Sequence, residues 1–546
     1  MRKPKRINVA PCLVNVPDNF DADALLDTLD VSKTIKIRYK NVLHYILHTI
    51  IEREELPAAN SKFMTRGYYN LLSRYIYKIC GNDYRRIIDL LIAAGIINVD
   101  ENYLTGGYSK GYRLASNYQG RQNKAVEISN GLFKERYLKV IRDNEKNNKE
   151  ELAKIPYVTK WYDKDRLKID VEAVHNFIEH YEFNMSKSIS STYSADVRQQ
   201  IINRIYNRYN ASILSVSKIQ AGQFNVKRTT TDCRLHSNIT SLKSELRSFL
   251  KFDGKPMVGV DIKASQPFLI SQLFKQEIYK KTLTGLDIPS LYPDLHKILQ
   301  EPTNQSQLYK TIMFSDYLQD TGNQSNTSSF ADVNWENDFY RLLGDLDKDS
   351  TKPVFIKRPK AKGLMMIILY DKKKSKKHYE CVKRFAQFFP RENELIDFFS
   401  RLSLKHEENF LPILMQRYES RLMLDLVCKN ISEQLPDAPI IPVHDSILTT
   451  QEYVDRVKKI MFDTICDVTG NKPGIKIDNT SASDVYDALL KTAQDDYEEI
   501  LNDLDVEKDI PEIKKRKPLK NDTIPVWKTN KIFGTRYVDG PALDVD

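Results

Sequence analysis

Apolar residues recur at helical spacing along much of the chain, and a few short β-prone runs interrupt them. Tyr84-Arg-Arg-Ile-Ile-Asp-Leu-Leu-Ile-Ala-Ala94 has an apolar and a charged side and is stopped by Gly95, so the spacing predicts an amphipathic helix. Ile96–Val99 then reads as a strand, Asp100–Asn102 as a turn and Gly111–Leu114 as a returning strand. Helices closed by a two-stranded ribbon make a winged-helix-like domain over residues 31–115. In that arrangement a helix can enter a DNA groove while the ribbon touches backbone, although the same shape also serves as a protein-docking module or spacer. Residues 1–30 show little periodicity and are expected to be an arm. Residues 116–160 are charged and are expected to be a helical linker, with Asn144–Glu150 solvated. Helical periodicity resumes between 165 and 220, broken at Ser186–Ser191.

Two short apolar runs end in aspartates. Met257-Val-Gly-Val-Asp261 predicts a buried strand ending at Asp261, followed by a helix start with Pro267 near its first turn. Ile440, Ile441 and Val443 precede Asp445, and Ile447 and Leu448 follow it, which predicts a hairpin with His444-Asp445-Ser446 at its tip. A carboxylate at a strand end is rigidly held yet accessible, which suits a metal ligand, and the Ile262 carbonyl is a natural further oxygen donor. Taken singly, Asp261 is better explained as a helix cap, and simple turn chemistry accounts for Asp445. The His-Asp pair is also found in metal phosphohydrolases, but those sites need more His and Asp ligands, and the remaining histidines show no matching spacing.

A third element changes that balance. Arg358, Lys362, Met366 and Tyr370 recur every four residues, so on a helix they share one broad stripe, with Leu364, Met365, Ile367, Ile368 and Leu369 on the other faces. Arg and Lys one turn apart can clamp a triphosphate, the Arg by forked hydrogen bonds and the Lys as a point charge. Two carboxylates that share a pair of metal ions, with cations aimed at leaving phosphates, are what phosphoryl transfer requires.

Composition adds bounds. The 546 residues, 41% hydrophobic and 29% charged with a net charge of +10, fit a globular protein of several domains with a polyanionic partner. Cys12, Cys80, Cys233, Cys381, Cys428 and Cys466 form no CxxC pair, which argues against a zinc ribbon or disulfide framework and for a reducing compartment. No apolar run approaches transmembrane length, and the basic start is not followed by a signal-peptide core, so no membrane association and a cytoplasmic location are expected. Residues 319–350 are polar and are expected to be a surface insertion, and residues 491–546 a basic tail containing Lys514-Lys-Arg-Lys517. The run Lys372, Lys373, Lys374, Lys376 and Lys377, and Arg204 and Arg208 interleaved with Tyr206 and Tyr209, are candidates for phosphate contact.

Together the three segments resemble motifs A, B and C of family A DNA polymerases and the related phage-type single-subunit RNA polymerases. Arg358-Pro-Lys-Ala-Lys362 with Tyr370 matches the Arg-x3-Lys-x7-Tyr pattern of motif B. Asp371 replaces the glycine that follows that tyrosine in the family. His444-Asp445-Ser446 matches motif C in its RNA polymerase form. Arg234-Leu-His-Ser-Asn-Ile-Thr-Ser-Leu242 is similar to the segment that touches the primer–template minor groove, and Gln416 falls where the family has a glutamine at the primer terminus.

The resemblance implies an α+β right-hand polymerase over residues 161–490, a divergent member of the kind carried by phages or mobile elements. It would have an antiparallel palm sheet, helical fingers and thumb, the thumb at about 161–225 and palm and fingers at 226–490. It implies that Asp261, Asp445 and the Ile262 carbonyl hold two Mg²⁺ ions, with Mn²⁺ as a substitute. Arg358 and Lys362 would bind triphosphate, Lys362 also acting as proton donor to pyrophosphate. Tyr370, Met366 and Gln266 would line the nucleotide pocket, and Arg234, His236, Gln416 and His444 would meet primer and template. No acidic exonuclease motif set is present, so proofreading is not expected. Gln266 stands where DNA polymerases of the family carry a glutamate against the ribose 2′-hydroxyl and RNA polymerases a glycine; its bulk favours deoxynucleotides, whereas Ser446 and Ser265 lean towards the RNA enzymes. The expected partners are a DNA primer–template, nucleoside triphosphates and, through residues 31–115, duplex DNA. The alternatives are a DNA-directed RNA polymerase and, from another class, a non-catalytic DNA-binding replication initiator that keeps the palm as scaffold.

Overall fold

The computed structural model describes residues 12–54, 64–65, 68–71, 73–102, 109–119, 122–129, 131–320, 329–371 and 379–478. The lysine run at 372–377 and the tail at 491–546 lie outside the described residues. The chain is mixed α and β with antiparallel sheets, as the sequence pattern predicts. Among the described residues no helix is long and apolar enough to cross a membrane. All six cysteines are free thiols.

Apolar side chains gather into two cores, one drawn from residues 12–133 and one from residues 155–475. The first contains the helices Lys33–Glu54, Ser73–Cys80 and Asp83–Ala93. It also holds a four-stranded antiparallel sheet, in which the Ile97–Asp100 and Gly111–Leu114 ribbon is extended by Tyr68–Asn70 and Met64–Thr65.

Two flanking expectations are corrected here. Within the expected arm, Leu13–Pro17 is a strand paired antiparallel with Asn123–Glu127, and Val14 and Val16 are fully buried. The alternation is too short to stand out, and its partner lies more than a hundred residues away. The expected linker is likewise structural: besides that strand it contributes buried Ile128 and Phe133 to the first core. Asn148, placed in its solvated part, is buried; its amide donates to the Val226 carbonyl at 2.9 Å and accepts the Arg228 N–H at 2.7 Å. The helix Gly131–Ala153 therefore runs from one core to the other.

The second core is organised by a six-stranded antiparallel sheet. Lys255–Ile262 is its central strand, with Ser446–Thr450 on one edge and Ile475–Asp478 on the other. Ile441–Val443 lies beyond Ser446–Thr450, and Leu250–Phe252 and Leu167–Ile169 extend the sheet from the start of the central strand. Val260, Ile262 and Ile447 are buried against helices, among them Val454–Thr469, whereas alternate positions carry polar groups to the other face. Helix Ser265–Ser271 begins two residues before Pro267, after Ala264 in the left-handed region at φ 46°.

The described residues 329–350 of the expected surface insertion form an internal element instead. Phe330, Trp335 and Phe339 are buried and pack edge-on with Phe268, Phe385 and Phe389. Glu392, fully buried, accepts the Phe330 N–H at 2.7 Å and pins the segment. The Trp335 carbonyl approaches Gly474 so closely that a Cβ there would lie 1.9 Å from it, which only glycine permits. Abundant Asn, Ser and Asp masked these aromatic anchors, whose burial outweighs the polar average.

Candidate active site

The carboxylates are placed by strand register. Asp261 pairs with Ser446 across one edge and with Lys476 across the other, and the Ile262 N–H donates to the Asp445 carbonyl at 3.3 Å. His444 and Asp445 form the tight turn between Val443 and Ser446, with His444 in the left-handed region at φ 56°. Two carboxylates from sequence-distant segments are thus neighbours. Burial, reinforced by the Asp445 charge, pushes the Asp261 carboxyl up to about 7, against the pull of Lys476, whose Nζ stands 3.1 Å from Asp261 Oδ2. Lys476 also pairs with Asp478 at 2.9 Å.

This crowding has a measurable consequence. The folded-state value for Asp261 lies above its unfolded value near 4, so the native protein binds the extra proton between those values and loses stability as pH rises from about 4 to 7. Asp445→Asn removes one repelling charge. It is expected to raise the melting temperature by about 1–2 °C at pH 8 without divalent ions, equivalent to about 1 kcal/mol. At pH 5, where Asp261 is already largely protonated, the gain should shrink; a gain that is larger at pH 5 than at pH 8 would refute the coupling.

His444 is half-buried, and burial together with the Arg234 charge pushes it down to about 4, so it is neutral at physiological pH. Its Nδ1 has no hydrogen-bond partner among the described residues. His236 packs edge-on to it at 6.3 Å between ring centres and lies 3.4 Å from Asp232.

The stripe on helix Arg358–Tyr370 runs from solvent inward: Arg358 and Lys362 are exposed, and Met366 and Tyr370 are half-buried against the second core. Arg358 Nε binds Asp338 Oδ2 at 2.5 Å, and its guanidinium lies 5.6 Å from the Tyr340 ring centre. Burial opposes ionisation of Asp338, yet the Arg358 bond and charge hold its carboxyl below the ordinary value. Asp371 ends the helix with extended backbone, φ −73° and ψ 121°, so no glycine is required at that position.

At the other end of the stripe, the Tyr370 hydroxyl donates to Gln266 Oε1, and Gln266 Nε2 donates to Glu419 Oε2 at 2.7 Å. Arg234 donates to both oxygens of Glu419, each at 2.9 Å. Glu419 lies on helix Phe410–Ser420, one turn after half-buried Gln416. That helix continues as a π-helical segment, Arg421–Val427, anchored by Asp425, which accepts two 2.8 Å bonds from Arg228. Complete burial and the Asp445 charge push the Glu419 carboxyl up to about 8, against the opposing pull of Arg234. Removing one partner of such a buried pair costs on the order of 3–5 kcal/mol.

The structure thus brings Asp261, Ile262 and Asp445 together at the sheet edge and joins Arg234, Gln266 and Tyr370 in one bonded chain. Arg208 and Tyr209 are not free for a polyanion, since both bind Glu245, at 3.1 and 2.9 Å, and Tyr209 is fully buried.

Besides Glu419, four residues near the carboxylates escaped the sequence reading. Lys476 and Asp478 alternate with Ile475 and Ile477, a period-two signal in a segment without motif resemblance. Arg247 feels the charges of Asp445, Asp261 and Asp478, though burial still pushes its guanidinium below the ordinary value. Tyr340, whose ring meets the Arg358 guanidinium at 5.6 Å, is pushed up to about 12 by burial, with Arg358 opposing and Asp445 adding to the rise. It sits in the stretch misread as an insertion.

Among the described residues no cluster of three or more His, Cys, Asp or Glu side chains stands at metal-ligating spacing. The protein side chains therefore offer two hard carboxylates, and the rest of any ligand sphere falls to backbone oxygen, water and substrate. No protein-family model matches the sequence, and no curated protein matches it.

Proposed function

We propose that the chain is a template-directed nucleic-acid polymerase that adds deoxynucleotides to a 3′-hydroxyl. In this reading the six-stranded sheet is the palm, the segment around helix Arg358–Tyr370 the fingers, and the helices Val171–Lys187 and Ala195–Gln220 the thumb. The observation that carries it is the junction at the central strand: Asp261 on that strand meets Asp445 at the turn into its neighbour, and Gln266, five residues after Asp261, bonds Tyr370 of the cationic helix.

The donor set fits Mg²⁺, which prefers oxygen ligands, is commonly held by one or two carboxylates, and completes its sphere with water and phosphate. Relief of the repulsion between Asp261 and Asp445 would favour a divalent cation there. Asp261, Asp445 and the Ile262 carbonyl would hold the ions, which supply activation of the hydroxyl and neutralisation of phosphate charge. Lys362, exposed at the open end of the stripe, meets the triphosphate and gives a proton to the departing pyrophosphate. Arg358 binds the same phosphates after exchanging Asp338 for them. His444, neutral and beside Asp445 at the turn, positions the primer end. The N-terminal unit engages duplex DNA.

Primer extension with dNTPs, and separately with rNTPs, tests this reading. Template-dependent elongation with dNTPs is expected in Mg²⁺ or Mn²⁺. Elongation with rNTPs alone would move the function to RNA synthesis, a reading that Ser446 beside Asp445 favours. No elongation on any primed template would reject it.

A further inference from the structure

Gln266 is held at both ends of its amide. Tyr370 donates a hydroxyl hydrogen to Oε1, and Glu419 accepts from Nε2 at 2.7 Å. Arg234 donates to both Glu419 oxygens, so the one beside Gln266 serves as an acceptor and this chain sets the orientation of the amide: nitrogen towards Glu419, oxygen towards Tyr370. Glu419 is itself anchored by two 2.9 Å bonds from Arg234, and its side chain is 2% exposed.

Resting on the polymerase reading above, we propose that Glu419 is a positioning residue for sugar discrimination. It holds the Gln266 amide across the space beside the sugar, so that a ribose 2′-hydroxyl is excluded. A glutamine side chain has several freely rotating bonds and, unrestrained, moves aside by changing rotamer. Restrained by a buried carboxylate, it does so only by leaving that carboxylate short of a partner, so the exclusion becomes stiff. The same geometry gives Arg234 a second role, because its guanidinium is committed to Glu419 and keeps the carboxylate in place.

The test is single-nucleotide incorporation with a matched dNTP and rNTP pair, reading kcat/KM for each in the wild type, Glu419→Ala, Glu419→Gln, Gln266→Glu and the double variant Gln266→Glu/Glu419→Gln. Wild type should prefer the dNTP. Glu419→Ala should lower the dNTP-to-rNTP ratio at least about tenfold, chiefly by raising rNTP incorporation. Glu419→Gln keeps an acceptor for Gln266 and should retain most of the ratio. Gln266→Glu sets two carboxylates against each other and should impair both nucleotides. The double variant exchanges the two groups, so that the amide now at position 419 donates to the carboxylate now at position 266. It should bring the ratio back to within a few-fold of wild type.

Equal losses for both nucleotides in Glu419→Ala, with the ratio unchanged, would make Glu419 merely a structural partner of Arg234 and overturn the proposal. A double variant no better than Gln266→Glu would do the same, as would a wild type that prefers the rNTP. A wild type that extends no primed template with either nucleotide overturns the polymerase reading itself, which separates the two failures. Melting curves for each variant identify any that fails to fold, and Glu419→Gln, nearly isosteric, keeps the question open to measurement if Glu419→Ala does.

Discussion

Asp445→Ala and Asp261→Ala are each expected to lower nucleotide incorporation at least roughly a thousandfold, about 4 kcal/mol in the barrier, while primer–template affinity changes little. One side chain stands on the central strand of a buried sheet and the other at the turn into its paired neighbour, so strand register fixes both. Lys476, though 3.1 Å from Asp261, carries the wrong charge to replace either carboxylate. Their removal should not weaken duplex binding, because it takes negative charge away from a polyanion's path. Pre-steady-state incorporation and fluorescence anisotropy on the same primer–template would separate the two quantities. Wild-type incorporation in either variant would dissolve the assignment of the metal site.

Lys362→Ala should reduce the maximal incorporation rate about a hundredfold, whereas Arg358→Ala should act mainly through KM for the nucleotide. The asymmetry follows from their surroundings. Lys362 is exposed on the stripe, while Arg358 is bonded to Asp338 and must exchange that carboxylate for a phosphate. Asp338→Asn is therefore expected to lower KM a few-fold, since asparagine preserves the cap on helix Phe339–Asp347 while releasing the guanidinium. Steady-state kinetics on the three variants would check this. Unchanged parameters in both cation variants would reduce the helix to a basic surface.

The legible part of the site was the part encoded locally. A β-prone run ending in aspartate, a two-residue turn between apolar runs, and cations at four-residue spacing each produce a signal within a short window. Strand register then placed Asp261 beside Asp445, a pairing no window contains. Glu419 was invisible for the same reason: nothing in its helix announces that Arg234 and Gln266 converge on it. Composition misled at 319–350, where a polar average concealed Phe330, Trp335 and Phe339, and with them Tyr340. The strand Leu13–Pro17 was hidden by brevity and by a remote partner.

That remote partner bears on how the protein is made. Leu13–Pro17 leaves the ribosome before Asn123–Glu127, which completes its ladder and follows about a hundred residues later. At translation speeds of about 5–20 residues per second, the apolar strand waits roughly 5–20 s without its mate. The six-stranded sheet waits longer, since Lys255–Ile262 needs Ser446–Thr450 before its buried edge is paired. Vectorial synthesis thus delivers the first core ahead of the six-stranded sheet. A slowly translated stretch just after residue 127 would favour clean folding, and one placed between 262 and 446 would lengthen the exposure of the central strand.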